Sequence, residues 1–168
     1  MVAQTIFLIG MMGSGKTTVG VRLAESLGLP FFDTDALIER AEGRSVQQIF
    51  EQDGEAYFRA QERQLIANWT EEVGVVACGG GLPCFFDHIA LLKEKGTVIY
   101  LEASPALLYE RIKGEAKRPK LTDYNSFEQL LADREVVYNK AHYKIDAKQS
   151  VEELVAEVLS LRAATTNQ

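Results

Sequence analysis

Residues 10–17 read GMMGSGKT, and this stretch follows an apolar run, Thr5–Ile9. Behind it, Val19, Leu23 and Leu27 recur at the spacing of an amphipathic helix. The pattern fits G-x-x-x-x-G-K-[ST] in the strand–loop–helix context that a phosphate-binding loop requires. Glycines let successive N–H groups turn toward phosphate oxygens, and the helix adds the positive end of its dipole. The stretch therefore predicts a nucleoside triphosphate site.

Each position of this loop has an expected role. Lys16 is expected to reach the β- and γ-phosphates, and the Thr17 hydroxyl is expected to bind Mg²⁺. The alternative is a glycine-rich turn between a strand and a helix that binds no ligand. The predicted ATP contacts in this part of the chain are Gly13, Ser14, Gly15, Lys16, Thr17 and Thr18.

Composition narrows the class of protein. The chain has 168 residues and a formal net charge of -6, with 46% hydrophobic and 25% charged residues. A protein with this negative net charge lacks the extended positively charged surface that binds nucleic acid or an anionic membrane. Two cysteines and two histidines show no zinc-site spacing. No apolar run is long enough to cross a bilayer, and MVAQTIFLIG does not resemble a signal peptide, so we expect a cytoplasmic protein.

The hydrophobic pattern alternates between buried-strand runs and helical stripes, which predicts a single α/β domain over residues 1–168 with a parallel sheet of about five strands. Ser45 and Gln48 fit a capping box, and Asp53 is expected to cap the helix after it. Residues 114–126 lack apolar periodicity and are expected to form a mobile lid, followed by a helix from Phe127.

Two carboxylates follow the second predicted strand. The third predicted strand, Val73–Ala77, ends without the acidic residue that commonly steadies Mg²⁺. Asp33 and Asp35 lie at the end of strand two, and residues two apart on an extended backbone point the same way. We assign Asp33 to the metal and Asp35 to the acceptor hydroxyl, whose proton it would take. The alternative is that Asp35 only caps the next helix.

Taken together, the motifs resemble the shikimate kinase family over nearly the whole chain. The resembling segments, in order, are the phosphate loop 10–17, Phe32–Asp35, Gly54–Arg59 with Glu62, Gly79–Gly81, Arg118-Pro119, and Arg134 with Tyr138. Phosphate loops occur in many unrelated NTPases, whereas the joint order of these motifs is far more specific.

The resemblance implies a three-layer P-loop NTPase fold of the nucleoside-monophosphate-kinase type, in which a central sheet is flanked by helices. It implies a monomer without an obligate protein partner, which transfers the ATP γ-phosphate to the 3-hydroxyl of shikimate. The helices at about 36–66 would bind substrate, Arg118 would act in catalysis from the lid, and Arg111 would lie against adenine. The implied substrate contacts are Asp35, Phe50, Phe58, Arg59, Gly79, Gly80, Gly81, Pro119 and Arg134.

The residues themselves partly support this assignment. Shikimate carries a carboxylate, and arginine forks suit carboxylates because they can donate two parallel hydrogen bonds. Arg59 is also spaced to form helical ion pairs with Glu55 and Glu62, and such pairs would suit a purely structural role. With substrate binding assigned to Arg59, Glu62 is expected to steady that arginine rather than to touch substrate. The triple glycine allows close backbone approach to a ligand, or it is a plain turn.

The other assignments also have structural alternatives. Phe50 and Phe58 would serve equally as core residues, and Arg118 as a solvated loop charge. Three features depart from the family pattern: Lys120 in the lid, no proline near Ser150-Val151, and Leu82-Pro83-Cys84 after the glycines.

Two other functions are alternatives to this assignment. A sister kinase acting on gluconate or a nucleoside monophosphate would need different acceptor motifs. A regulatory ATPase without a small substrate is disfavoured because no N-K-x-D motif occurs and the length leaves no room for an effector domain.

Overall fold

The computed structural model describes residues 4–69, 73–113 and 123–166, with side chains up to Ala163. Five strands form one sheet in the order β2-β3-β1-β4-β5, and all neighbouring strands are parallel. This confirms the predicted α/β class with a five-stranded parallel sheet. The strands are β1 (Thr5–Ile9), β2 (Phe31–Asp33), β3 (Val75–Ala77), β4 (Gly96–Glu102) and β5 (Tyr143–Asp146).

Helices flank the sheet, as the apolar periodicity predicts. α1 and α8 pack against each other, α4 contacts α5, and α5 lies on β4. A short 3₁₀ helix, Leu82–Cys84, follows β3. The helices are α1 (Lys16–Leu27), α2 (Thr34–Glu42), α3 (Val46–Gln52), α4 (Gly54–Ala67), α5 (His88–Lys95), α6 (Pro105–Ile112), α7 (Tyr124–Tyr138) and α8 (Val151–Thr166).

The strand order places the candidate site. Every residue of β1 is buried, as expected for a central parallel strand that is covered on both faces. Leu8 and Asp33 are both register partners of Ala77, so β1, β3 and β2 end side by side. The loops that leave these three strands therefore open onto one crevice at the carboxyl edge of the sheet.

Local capping signals were right at one helix and wrong at another. The capping box of α3 is present, with both the Ser45 and the Gln48 side chain bonded to backbone N–H groups. Asp53 precedes α4, but its side chain does not cap that helix. Its carboxylate pairs instead with Arg44, because the salt bridge competes for the same oxygen atoms.

The predicted lid overlaps a helix. α7 begins at Tyr124, three residues before the predicted start, because the Asp123 carboxylate accepts a hydrogen bond from the Ser126 N–H at 2.9 Å. Residues 124–126 are thus helical rather than loop. The rest of the predicted lid, 114–122, lies outside the described residues. Among the helices that are described, none has the length and apolar character needed to cross a membrane.

Candidate active site

The phosphate loop lies where the sequence predicts it, between β1 and α1. The backbone φ angles of Gly10, Gly13 and Gly15 are 144°, 83° and 89°. Residues that have a Cβ rarely adopt such positive values. Gly10 also passes close to β4, since a Cβ there would lie 2.7 Å from the Leu101 carbonyl oxygen. The glycine pattern of the motif is therefore required by the backbone itself.

The first turn of α1 is open to an anion. Its N-cap, Gly15, makes no side-chain cap bond, and no acidic residue lies in the first turn. Thr17 and Thr18 are exposed, while Ser14 is buried beneath them in the loop. The N–H groups at this end of the helix can therefore donate to phosphate oxygens.

Lys16 lies back across the loop. Its Nζ donates hydrogen bonds to the carbonyl oxygens of Gly10 at 2.8 Å and Met11 at 3.0 Å. These contacts fix the ammonium group over the loop. Lys16 also lowers the pKa of Asp35, so its charge acts on the carboxylate that the sequence assigns to the acceptor hydroxyl.

The structure corrects the expected geometry of the two aspartates. β2 ends at Asp33 and α2 begins at Thr34, so Asp33 and Asp35 do not share an extended backbone. Asp33, rather than Asp35, caps α2: its Oδ1 accepts hydrogen bonds from the N–H groups of Asp35 at 3.0 Å and Ala36 at 3.1 Å. The Asp35 side chain is therefore free of the capping role that was its structural alternative.

Asp35 has the environment of a general base. Its Oδ1 is shielded from solvent and has no hydrogen-bond partner among the described residues. Burial, followed by the charge of Asp33, raises its pKa from 3.8 to about 6, although Lys16 and Arg59 lower it. A carboxylate with such a pKa is ionised near neutral pH and is still basic enough to accept a proton.

The three glycines after β3 pack against the three charged residues that the sequence assigns to substrate. A Cβ on Gly79 would lie 2.5 Å from Asp35 Oδ1, and one on Gly81 would lie 2.6 Å from Arg59 Nη2. A Cβ on Gly80 would lie 3.4 Å from Arg134 Nη1. The segment is thus more than a plain turn, because it brings both arginines and Asp35 to one stretch of backbone.

Arg59 is held firmly in this crevice. It is only 7% exposed, which excludes an ordinary surface ion pair. Its Nη1 bonds both oxygens of Glu62 at 2.9 and 2.8 Å, and its Nε and Nη2 bond Glu55 at 3.3 and 3.0 Å. Glu62 is fully buried, and burial raises its pKa to about 7 although Arg59 opposes that shift. Glu62 steadies Arg59, as expected.

Arg134 reaches the same crevice from α7. Its Nη1 lies 3.5 Å from the Met11 sulfur of the phosphate loop, and its charge also lowers the pKa of Glu62. One turn further along α7, the Tyr138 hydroxyl donates to the Gly80 carbonyl oxygen at 2.5 Å. Two residues of the R-x-x-x-Y motif therefore bind α7 to the glycine segment and the phosphate loop.

Aromatic rings surround the Arg59 guanidinium. Phe50 and Phe58 contact each other with ring centroids 5.0 Å apart, and they lie 5.9 and 5.3 Å from Arg59 Cζ. Phe58 is also buried against Ile38 and Ile49, so its core role is real as well. A third ring, Phe85, lies closer, at 4.0 Å. Sequence reasoning missed it, and the only signal was an aromatic pair just after the triple glycine.

Arg111 connects two loops. Its guanidinium donates to the Gly13 carbonyl oxygen at 3.1 Å and to the Ala147 carbonyl oxygen at 3.2 Å. It thus joins the phosphate loop to the turn after β5, and its expected place against adenine stays a prediction. The predicted lid residues Arg118 and Pro119 lie outside the described residues.

A cavity of about 440 Å³ lies apart from this site, between α2 and α4. Its lining holds no charged side chain, so it does not suit a phosphate or carboxylate ligand. The lining residues are Phe32, Leu37, Ile38, Ala41, Gln61, Gln64, Leu65, Asn68 and Trp69.

The fold and the crevice define a class: a P-loop kinase with two arginines and a buried carboxylate beside its phosphate loop. A family model described as shikimate kinase matches residues 12–162. The chain belongs to the shikimate kinase family.

Individual relatives agree with this membership. The chain is 41% identical over 160 residues to a shikimate kinase of Sulfurihydrogenibium sp., covering 94% of this chain and 96% of the relative. Identity to the Ralstonia nicotianae shikimate kinase is 44% over 165 residues, covering 95% and 87%. A solved shikimate kinase from Acinetobacter baumannii, in complex with shikimate, superposes with a TM-score of 0.88 at 36% identity, covering 98% and 96%.

We expect Asp35→Asn to stabilise the protein at pH 8 by about 1 to 3 kcal/mol. The folded state binds the Asp35 proton more tightly than the unfolded state, because its pKa is raised from 3.8 to about 6. Stability is therefore lost as the pH rises through this window, by ~1.4 kcal/mol for each pH unit. The amide of the variant stays uncharged at every pH, so the variant does not lose this stability as the pH rises.

Thermal unfolding of the variant and the native protein at pH 8 and at pH 3.5 measures this effect. The gain should nearly disappear at pH 3.5, where Asp35 is protonated in the folded protein and mostly protonated in the unfolded chain. Glu94→Gln, which removes an exposed carboxylate on α5, should change the melting temperature little. A destabilised Asp35→Asn at pH 8 would contradict the electrostatic description of the site.

Proposed function

We propose that this chain transfers the γ-phosphoryl group of ATP to the 3-hydroxyl of shikimate, as a step of aromatic amino acid biosynthesis. One observation carries the proposal most directly. Asp35 presents a buried oxygen that has no hydrogen-bond partner among the described residues, and it is influenced by both Lys16 and Arg59. Such an acceptor suits a substrate hydroxyl that lies between a phosphate site and a carboxylate site.

The phosphate loop binds and orients ATP in this proposal. Backbone N–H groups at the start of α1 donate to the phosphates, and Lys16 leaves the Gly10 and Met11 carbonyls to contact the β- and γ-phosphates. Arg111 holds the phosphate loop against the turn that follows β5, where adenine would lie. The nucleotide contacts in the described part of the chain are Gly13, Ser14, Gly15, Lys16, Thr17, Thr18 and Arg111.

Magnesium would be held by few protein atoms. The Thr17 hydroxyl is exposed at the start of α1, and Asp33 uses Oδ1 for capping, which leaves Oδ2 for a metal or its water. The described residues contain no cluster of three or more His, Cys, Asp or Glu side chains that could hold a metal. This fits Mg²⁺, which commonly binds through substrate phosphates, waters and one or two protein oxygens. When bound, the ion would neutralise phosphate charge.

The acceptor pocket positions shikimate in two ways. Arg59 and Arg134 bind its carboxylate with charge-assisted hydrogen bonds, and the Gly79–Gly81 backbone, which lies beside both arginines, would contact its ring substituents. Phe50 and Phe58 form the apolar wall of the pocket. Pro119 would extend that wall from the lid.

Asp35 then acts as the base. The 3-hydroxyl oxygen forms a bond to the γ-phosphorus, the bond from that phosphorus to the β–γ bridging oxygen breaks, and the hydroxyl proton passes to Asp35. Lys16 offsets charge on the phosphates, and Arg118 would add a second cation from the lid when it closes. The products are ADP and shikimate 3-phosphate.

The remaining attributes follow from this proposal. We infer a cytoplasmic enzyme that works as a monomer without an obligate protein partner, because ATP, Mg²⁺, shikimate and the residues named above complete the reaction.

A coupled assay of ADP release tests the substrate. With ATP and Mg²⁺, we expect turnover with shikimate and little or none with gluconate, AMP, CMP or no acceptor, since the pocket combines two arginines for a carboxylate with one base for a hydroxyl. A solved gluconokinase shares the fold, with a TM-score of 0.63 at 22% identity, so gluconate is the most informative alternative acceptor to test. Turnover with a nucleoside monophosphate as the acceptor, but not with shikimate, would overturn the proposal.

Two substitutions should separate the ATP and acceptor sites. Lys16→Ala should abolish turnover, because it removes the cation that contacts the transferred phosphoryl group. Arg134→Ala should raise the KM for shikimate between about tenfold and about a hundredfold, the contribution of a charge-assisted hydrogen bond, with the KM for ATP nearly unchanged. Steady-state kinetics with each substrate varied in turn provides the measurement.

Arg22→Ala is the matched control for that pair, because Arg22 is exposed on α1 and its guanidinium pairs with the exposed Glu25. It should behave like the native enzyme. If Arg134→Ala and Lys16→Ala weaken ATP binding equally, Arg134 does not belong to the acceptor pocket.

The pH dependence of kcat/KM should report Asp35. Because the base must be ionised and its pKa is raised to about 6, kcat/KM for shikimate should fall about tenfold per pH unit below pH 6 and level off above it. Glu62→Gln should keep this acidic limb near the same pH, because Glu62, whose pKa is raised to about 7, is mostly uncharged where Asp35 titrates. A profile that is flat from pH 5 to 8, or that loses the limb in Glu62→Gln, would assign the base elsewhere.

A further inference from the structure

The Phe85 ring lies directly against the Arg59 guanidinium. Arg59 Cζ is over the ring at 4.0 Å from its centroid, closer than to either ring that the sequence predicted, Phe50 or Phe58. A guanidinium in contact with an aromatic face is attracted by the π electrons and keeps its N–H edges available for other partners. This contact therefore constrains the plane of Arg59 without using any of its hydrogen-bond donors.

The two glutamates that pair with Arg59 lie on different sides of its guanidinium group. Glu62 is buried and holds Nη1 inside the pocket, whereas Glu55, whose side chain is 49% exposed, holds Nε and Nη2 from the surface. An arginine four residues after a glutamate on a helix can always relax toward that glutamate. Phe85 opposes this movement because it adds attraction on the pocket side.

The loop that carries Phe85 is itself fixed. The N–H groups of Leu82 and Cys84 each bond the carbonyl of a glycine three residues earlier, at 3.0 Å, and the Phe85 carbonyl accepts from the His88 N–H at 3.2 Å. The His88 ring is buried, and its Nδ1 lies 2.7 Å from the Leu82 carbonyl oxygen. A carbonyl only accepts, so Nδ1 carries the proton and donates it.

We propose that Phe85 is a positioning residue for the acceptor site: its ring holds the plane of the Arg59 guanidinium in the orientation in which the arginine meets a substrate carboxylate. This inference rests on the proposed role of Arg59 in binding shikimate. The 3₁₀ turn Leu82–Cys84, which has no explanation at the level of sequence, then serves to set Phe85 at a fixed distance from the triple glycine.

The effect should be confined to acceptor binding. Without the ring, Arg59 spends more time turned toward Glu55, and shikimate binding must reverse that turn. The KM for shikimate should therefore rise by about two- to thirtyfold, the range of a partly desolvated cation–π contact, while kcat and the KM for ATP stay within about twofold. A purely structural role would instead lower the melting temperature and disturb all three parameters together.

Phe85→Leu and Phe85→Tyr form the first test. Leucine keeps an apolar side chain but has no ring, and tyrosine keeps the aromatic face, so tyrosine should restore the native KM for shikimate. Phe86→Leu is the matched control, since the neighbouring ring is 68% exposed and is not part of the pocket. It should leave all parameters unchanged. An unchanged KM for shikimate in Phe85→Leu overturns the proposal.

A second measurement keeps the shape of the ring. Trifluorophenylalanine at position 85 weakens the negative face of the ring with little change in size, so the protein folds as before. The KM for shikimate should rise with fluorination, and melting temperature should not fall. A KM that does not respond to fluorination contradicts an electrostatic contact between Phe85 and Arg59.

A double-mutant comparison separates this inference from the proposed function. In an Arg59→Ala background, Phe85→Leu should cause no further rise in the KM for shikimate, because the group it positions is absent. An equal rise in both backgrounds overturns the positioning role. If Arg59→Ala alone leaves the KM for shikimate unchanged, the proposed function of Arg59 fails, whatever the Phe85 variants show.

Discussion

The close approach of one backbone segment to three charged side chains is the constraint on which this site depends. Gly79 and Gly81 lie against Asp35 and Arg59 at distances that leave no room for a Cβ, and Gly80 lies beside Arg134. The segment leaves the end of β3, between the ends of β2 and β1, so it can reach both α2 and the phosphate loop. A side chain at position 79 or 81 would displace Asp35 or Arg59.

Charge balance explains how two arginines and two carboxylates can share so small a space. Burial raises the pKa of Glu62, and the charges of Arg59 and Arg134 oppose that rise; burial likewise raises the pKa of Asp35, and Lys16 and Arg59 oppose it. A buried charge without a partner is costly, so each of these groups depends on its neighbours.

Different elements supply the site, and each contributes a different kind of rigidity. The phosphate loop is shaped by positive φ angles at its glycines, and α2 is held by the Asp33 cap. α7 is tied to the glycine segment through Tyr138. The loop that carries Phe85 is fixed through buried His88. Binding groups fixed in this way lose little freedom when a substrate binds, which favours affinity.

Sequence by itself determined the fold class, the phosphate loop and the residues that carry charge to the site. Those signals are local: an apolar run, a glycine pattern with Lys16 and Thr17, and the order of the later motifs. Tertiary structure decided that Asp33 rather than Asp35 caps α2, because that helix begins at Thr34 and Asp33 is its N-cap. It also decided that the Arg59–Glu62 pair is buried and that Phe85 covers Arg59. Spacing along α4 predicts the pair itself, but it does not encode burial or a contact with a distant loop.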